Sequence, residues 1–439
     1  MLKIIRILLL LGILTVASIA IEAHATTPMI DVLHVKGTIN PVLVDYIERG
    51  INHAEETGAE ACIIQMDTPG GLDTSMRDIV KDIVNAQVPV VVYVSPSGAR
   101  AASAGVFITI AAHVAVMAPN TAIGAAHPVA IGAEGEAQMS EAMEEKIVND
   151  AAAYIRSIAE AHGRNMEWAE KAVRESVSAT EQEALELNVI DMVAPDLNAL
   201  ISQLDGWQVT MLDGSVVSLQ TQRVIINHFE MSVTEDFLYA IADPNIAYIL
   251  LSLAMLGIMV EIFNPGLIFP GVVGGISFLL AFYSLGVLPV NYAGVLLIIL
   301  AFGLFIGEVL TTSFGLFTVG GVTALVIGSL ILFKGGPLFK VDIALIIIIA
   351  ICIAVFFAFI LQRVIRAHRS QATTGREDLV GKTGVVKVAL APEGTVFFKG
   401  ERWKAVSEKS RIKPGEEVII TRVDGLTLHV IKKTIKGGK

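Results

Sequence analysis

The chain has 439 residues, 54% of them hydrophobic, and a net charge of −11. That is long enough for two or three folded units and too apolar for an ordinary soluble protein. The charge is also segregated: residues 26–244 carry 11 Lys+Arg against 31 Asp+Glu and residues 363–439 carry 17 against 8, with only Glu261, Glu308, Lys334, Lys340 and Asp342 between them.

Residues 1–25 begin with Lys3 and Arg6, run apolar from Ile7 to Ile21 and end at Ala23-His24-Ala25, the pattern of a secretory signal cleaved after Ala25, with an uncleaved anchor helix as the alternative. From Pro28 to about Val193, short apolar runs alternate with helical stretches. Ile30 to Val35, Ala61 to Met66 and Val88 to Val94 read as buried strands, with helices over Pro41 to Ala54 and Thr74 to Asn85 between them. Strands separated by helices predict a parallel sheet with crossover connections, an α/β domain. Val114 to Met117 and Thr121 to Gly124 are further short strands, and Glu141 to His162 and Met166 to Arg174 are further helices. Thr180-Glu181-Gln182-Glu183 is a capping box, and residues 205–222 read as a hairpin around Asp213-Gly214.

Five apolar blocks follow Asp243-Pro244, at about 245–263, 270–288, 292–309, 317–333 and 341–361. Each approaches the ~20 residues needed to cross the hydrocarbon, so five spans are expected, with four or six left open because Lys334 and Lys340 would then lie outside. Arg363, Arg366 and Arg369 mark the end of the last block as cytoplasmic. With an exported N-terminal domain, an inside tail requires an odd number of spans. Glu261 and Glu308 fall near block ends and read as interfacial or helix-packing residues. Cys62 in a buried strand and Cys352 in a membrane helix have no reason to meet, so no disulfide framework is expected. Beyond a polar linker at 363–377, five short strands (Gly381 to Ala389, Thr395 to Phe398, Arg402 to Val406, Glu417 to Val423, Thr427 to Ile431) fit a small closed barrel of the OB type.

The chemistry centres on Ala101-Ala102-Ser103-Ala104-Gly105, where a strand hands over to a helix. A serine hydroxyl needs a base, and a nucleophile at a helix N-terminus gains from the dipole and from unpaired amides. Upstream, Asp67-Thr68-Pro69-Gly70-Gly71 supplies paired glycines that can turn a backbone N–H toward a tetrahedral oxyanion. Taken alone, each motif has an ordinary alternative: helix packing for the small residues, a turn for the glycines. The base is open on spacing. Lys81 and Lys171 lie among surface charges, Lys146 stands beside Glu144 and Glu145, and His113 and His127 are the nearby histidines, with Asp67 available as a third member. Neighbours one and two apart on a helix face different ways, so Lys146 can enter a cleft while those glutamates stay wet.

The set Asp67-Thr68-Pro69-Gly70-Gly71, Ala101 to Gly105, Ala118-Pro119, Ile123-Gly124-Ala125, and Lys146 with Asn149 resembles the NfeD-family membrane-bound serine proteases. Gly381-Lys382-Thr383-Gly384 and Gly400-Glu401-Arg402-Trp403 match the same family's small C-terminal domain. The resemblance implies a ClpP/crotonase-like ectodomain, a multi-span membrane block and an OB-like barrel. It implies Ser103 as nucleophile, Lys146 as base, and Gly71 and Ala104, with Gly70 beside them, as the oxyanion hole. No metal or other cofactor is expected. The implied partner is a membrane scaffold of the stomatin/prohibitin/flotillin superfamily, cleaved in an apolar segment. Contact with membrane lipid and a homo-oligomer are expected, and nucleic acid is not.

The expected domains are a signal peptide (1–25), a ClpP-like serine protease domain outside the cytoplasm (26–243), a transmembrane block (244–362), the linker (363–377) and a cytoplasmic OB-like domain (378–439). Two other classes compete with the Ser-Lys endopeptidase. One is a non-catalytic scaffold; the other is crotonase-type acyl chemistry, disfavoured because an exported domain meets little acyl-CoA.

Overall fold

The computed structural model describes residues 28–128, 141–311, 315–369 and 379–433, so the signal segment and most of the linker lie outside the described residues. The N-terminal domain is built on a six-stranded sheet, all parallel, in the order β11-β1-β2-β3-β5-β8. Its strands are β1 Met29–Lys36, β2 Ala61–Asp67, β3 Val90–Val94, β5 Val114–Met117, β8 Met192–Val193 and β11 Ile225–Phe229. The central strands are β-branched and apolar on both faces because both faces are covered. Leu33, Ile64, Val92 and Met117 face the helices α1 Pro41–Thr57, α2 Asp73–Asn85, α3 Ala104–Ala111 and α4 Glu141–Ala161. Val32, Ile63, Tyr93 and Val116 face Leu200 and Leu204 of the helix over 197–204 and the hairpin over 208–218.

A second sheet, β4 Arg100–Ala102, β6 Ala122–Gly124 and β7 Ser178–Thr180, stands beside the first. Helix α5, Met166–Arg174, begins at an Asn165 cap, and the Thr180 capping box forms as expected. Strand β11 has no counterpart in the alternation read from the sequence. It is half exposed and joins at the edge, so its pattern lacks a buried apolar run.

All five apolar blocks form helices: Pro244–Phe263, Ile268–Val287, Tyr292–Leu310, Leu316–Leu330 and Ile343–Arg369. The five helices differ in length. Among the described residues, three are long and apolar enough to cross a membrane: Pro244–Phe263, Ile268–Val287 and Tyr292–Leu310. Leu316–Leu330 has 15 residues, about 22 Å of rise against a hydrocarbon core of about 30 Å. It is short because the block's last residues, Ile331 to Phe333, leave the helix. The last helix runs 27 residues, Ile343–Arg369, and its apolar sequence continues through Ile360 and Leu361 to the arginines.

Helices Pro244–Phe263 and Ile268–Val287 approach backbone to backbone, where a Cβ on Gly257 would meet the Gly274 Cα at 2.8 Å. Glu308 is buried at 3% exposure and accepts hydrogen bonds from the Gly315 and Thr318 amides at 2.8 and 3.0 Å. It caps the helix that follows, which is the helix-packing role expected of it. The Ser284 hydroxyl donates to the Ile241 carbonyl at 2.6 Å, tying the membrane helices to the N-terminal domain. Cys62 and Cys352 are both free.

Strands Thr383–Val388, Glu393–Phe398, Glu401–Ser407, Glu417–Asp424 and Thr427–Lys432 close into a barrel. Val386, Val396, Ala405, Val418, Ile420, Leu428 and Val430 fill it, alternating with outward polar residues as a small closed barrel requires. The fold classes read from the sequence, α/β domain, helical membrane block and OB-like barrel, are those observed.

Candidate active site

Ser103 is the single residue between β4 and α3, and its backbone is held at φ 53°, ψ −112°. A positive φ on a residue with a Cβ costs energy that the surroundings must supply. Here they do so from both sides: the Ser103 amide donates to the Gly124 carbonyl at 3.2 Å, and its carbonyl accepts from Val106 at 3.0 Å. The side chain makes no capping bond to its own helix. It is therefore turned out of the helix and into a cleft.

The glycine loop is lashed to β4. Thr68 N donates to Arg100 O, Ala102 N donates to Thr68 O, and the Asp67 carboxylate accepts from the Arg100 amide at 3.1 Å. Asp67 thus holds strand to loop and is not oriented as a third catalytic member. Ile39 pairs with Gly71 as an isolated parallel bridge, through Ile39 N to Gly70 O and Leu72 N to Ile39 O. In that pattern Gly71's own N–H points away from Ile39. Neither the Gly71 nor the Ala104 amide donates to another described residue, and both residues line the cleft beside Ser103.

Gly70 is placed differently from Gly71. Its amide is engaged by the Thr68 hydroxyl at 3.0 Å, and at φ 118° a Cβ there would stand 2.7 Å from the Ser103 Cβ. Its contribution is clearance for the serine.

The cleft measures about 470 Å³, and Lys146 lines it together with Gly71, Ser103 and Ala104. The sheet topology thus brings together a serine, a lysine and two unspent amides from three separate segments. Met76, Phe107, Met143 and Ile147 supply apolar wall. Lys146 itself is exposed in the single chain.

Other candidates fall away. His113 accepts the Val90 amide on Nδ1 at 3.1 Å, and burial, followed by the nearby Arg164 charge, pushes its pKa down to about 4. His127 is bonded through Nδ1 to the Val173 carbonyl at 2.8 Å. Neither lines the cleft. Lys81 is exposed, and Lys171 pairs with Glu167 on the surface of its helix.

Two features of the site are not apparent in the motifs. Arg77 on α2 pairs with Asp73 at 2.9 Å and with Asp150 at 2.6 Å, and lies 4.5 Å over the Tyr154 ring. Burial opposes its charge, but the two carboxylates outweigh it and hold the guanidinium pKa above its ordinary value. Asp150 is one turn beyond Lys146, so this pair fixes the lysine's helix against the helix that starts at the glycine loop. The second is Arg164, 5% exposed, which donates to Ile110 O at 2.5 Å, Ala112 O at 2.7 Å and Asp191 at 2.6 Å. It anchors the far end of the helix that Ser103 begins. Both depend on pairings across long sequence separations, which leave no local signal.

Three stretches match domains of one family: the NfeD1b N-terminal domain over residues 29–200, the NfeD integral membrane domain over 245–363, and the NfeD-like C-terminal, partner-binding domain over 376–432. The chain is 40% identical over 417 residues to a membrane-bound protease of Pyrococcus horikoshii, covering 93% of this chain and 94% of that one. It is 28% identical over 443 residues to the membrane protein NfeD1b of Bacillus subtilis, covering 96% and 97%. Among solved structures, a membrane-bound stomatin-specific protease, a lysine-to-alanine mutant in complex with a substrate peptide, is 35% identical. It covers 49% of this chain and 98% of its own, with a TM-score of 0.46.

Proposed function

Because the chain belongs to the NfeD family of membrane proteins, we propose that it is a membrane-bound serine endopeptidase in which Ser103 is the nucleophile and Lys146 the general base. The observation that carries this reading is the single cleft lined by Ser103, Lys146, Gly71 and Ala104. Residues 26–243 form its protease domain, 244–362 its membrane block and 378–439 its docking domain.

In this mechanism the free amine of Lys146 takes the Ser103 proton as the hydroxyl oxygen attacks the scissile carbonyl carbon. The carbonyl electron pair moves onto oxygen, where the Gly71 and Ala104 amides bind it. As the tetrahedral species collapses, the C–N bond breaks and the departing amine receives the proton held by Lys146. Water, deprotonated by the Lys146 amine, then attacks the acyl carbon, and the C–Oγ bond breaks as Lys146 returns the proton to the Ser103 oxygen.

The apolar cleft wall fits an apolar segment, and the family resemblance makes a stomatin-, prohibitin- or flotillin-type membrane protein the proposed substrate. A bound apolar strand, or a second copy in a homo-oligomer, would cover Lys146 and exclude water from the cleft. The protease domain lies outside the cytoplasm and the barrel within it.

The exposure of Lys146 favours a second reading, a scaffold whose cleft binds without cleaving. A serine-reactive probe separates the two. Labelling of wild type but not of Ser103→Ala is expected, and no labelling of either would sink the protease reading. Lys146→Arg should label far more slowly than wild type, since a guanidinium stays protonated; undiminished labelling would remove Lys146 as the base.

A further inference from the structure

The two faces of the main sheet end differently at the carboxyl ends of β1 and β11. Helix α3, which Ser103 begins, packs on the face of Leu33 and Val35. On the opposite face, past Val32, polar side chains from two neighbouring strands converge. Alternation along β1 puts Val32 and His34 on that face, and parallel pairing aligns Val32 with His228. His34, His228 and Glu230 therefore project together, all three exposed, with one ligand atom from each lying within 4.8 Å of the others.

His34 Nε2 is 3.2 Å from His228 Nδ1, with the rings only 10° from parallel. Two ring lone pairs at that distance repel unless a proton or a cation stands between them, and the Glu230 carboxylate beside them adds negative charge. Zinc–nitrogen bonds of ~2.0–2.1 Å at a tetrahedral angle place two ligand nitrogens about 3.3 Å apart. Two histidines and one glutamate are also a known zinc donor set, with water completing the fourth position.

We propose that His34, His228 and Glu230 bind one zinc-class divalent metal ion. The ion bridges β1 to β11. Strand β11 is an edge strand paired only with β1 in the sheet, and it leads through the helix Val233–Ile241 into the first membrane helix. A metal there fastens an edge strand near the point where the domain joins the membrane helices. It lies away from the Ser103 cleft, and no step of hydrolysis passes through it.

The test uses the full-length protein in detergent, stripped with chelator and dialysed against zinc. Wild type should retain one equivalent and melt at a higher temperature with zinc than without. His34→Gln and His228→Gln should each lose both effects, and cobalt substitution should give visible d–d bands in wild type alone. A wild type that retains no zinc, or histidine variants that keep the full equivalent, would overturn the site. If the histidine variants fail to fold, Glu230→Gln decides: weakened zinc binding supports the proposal and undiminished affinity refutes it.

Discussion

A methyl group added at Gly71 would stand 2.1 Å from the Ile39 carbonyl oxygen and 2.6 Å from its Cβ. Ile39 cannot yield, because it is fully buried and both its backbone groups bond to the same loop, at Gly70 and Leu72. Gly71→Ala must therefore displace the loop, and with it the amide proposed to meet the oxyanion. Loss of one such donor lowers kcat by roughly 10²–10³ elsewhere, and a fall of that order in peptide hydrolysis with little change in KM is expected. A kcat within a few-fold of wild type would remove Gly71 from the hole. At this scale the serine and glycine motifs were legible, while Lys146 was singled out from the histidines only by the family resemblance. The strained φ of Ser103 and the engaged amide of Gly70 were not legible, since both follow from the path of neighbouring strands.

Helix α3 has eight residues, too few to persist without support at its ends. The Ser103 amide secures the first end and Arg164 the second, and Arg164 is flanked by His113 and His162, whose rings meet edge to face at 6.0 Å. Burial first, then the guanidinium charge, pushes both imidazole pKa values down to about 4 from an ordinary 6.5. The sign follows directly. Above pH 6.5 neither folded nor unfolded chain binds these protons. Between 6.5 and 4 the unfolded chain binds them and the folded one does not, so stability falls as pH falls through that window. A shift of this size corresponds to about 3 kcal/mol per group. The melting temperature should drop between pH 7 and pH 5, and His162→Gln should make that drop visibly smaller. Equal drops in both proteins would contradict the assignment. Helices and central strands were legible from periodicity to within a few residues. The edge strand β11 was not, because half-exposed residues carry no alternation strong enough to read. The same strand supplies His228, 194 positions from His34, so a metal site was invisible to any argument from spacing.

Across the whole molecule the chain divides into two compact units, Met1–Val355 and Phe356–Lys439. The barrel in the second unit closes its own hydrogen-bond ladder and fills its own core, so it does not depend on the first unit for its fold. Every residue proposed for catalysis lies in the first. In the orientation proposed above, the acidic domain and the basic barrel lie on opposite sides of the membrane. The membrane then separates cleavage from docking, and a substrate held by the barrel must itself cross or dip into the bilayer to reach Ser103. Reporter fusions at residues 230 and 435 should accordingly report opposite sides. Removing residues 378–439 should leave cleavage of a short apolar peptide at the wild-type rate while capture of a stomatin-type partner is lost. Fusions on one side would break the orientation. Loss of peptide cleavage in a truncated protein that keeps its melting transition would show that the barrel acts on the cleft, and the separation of roles would fall.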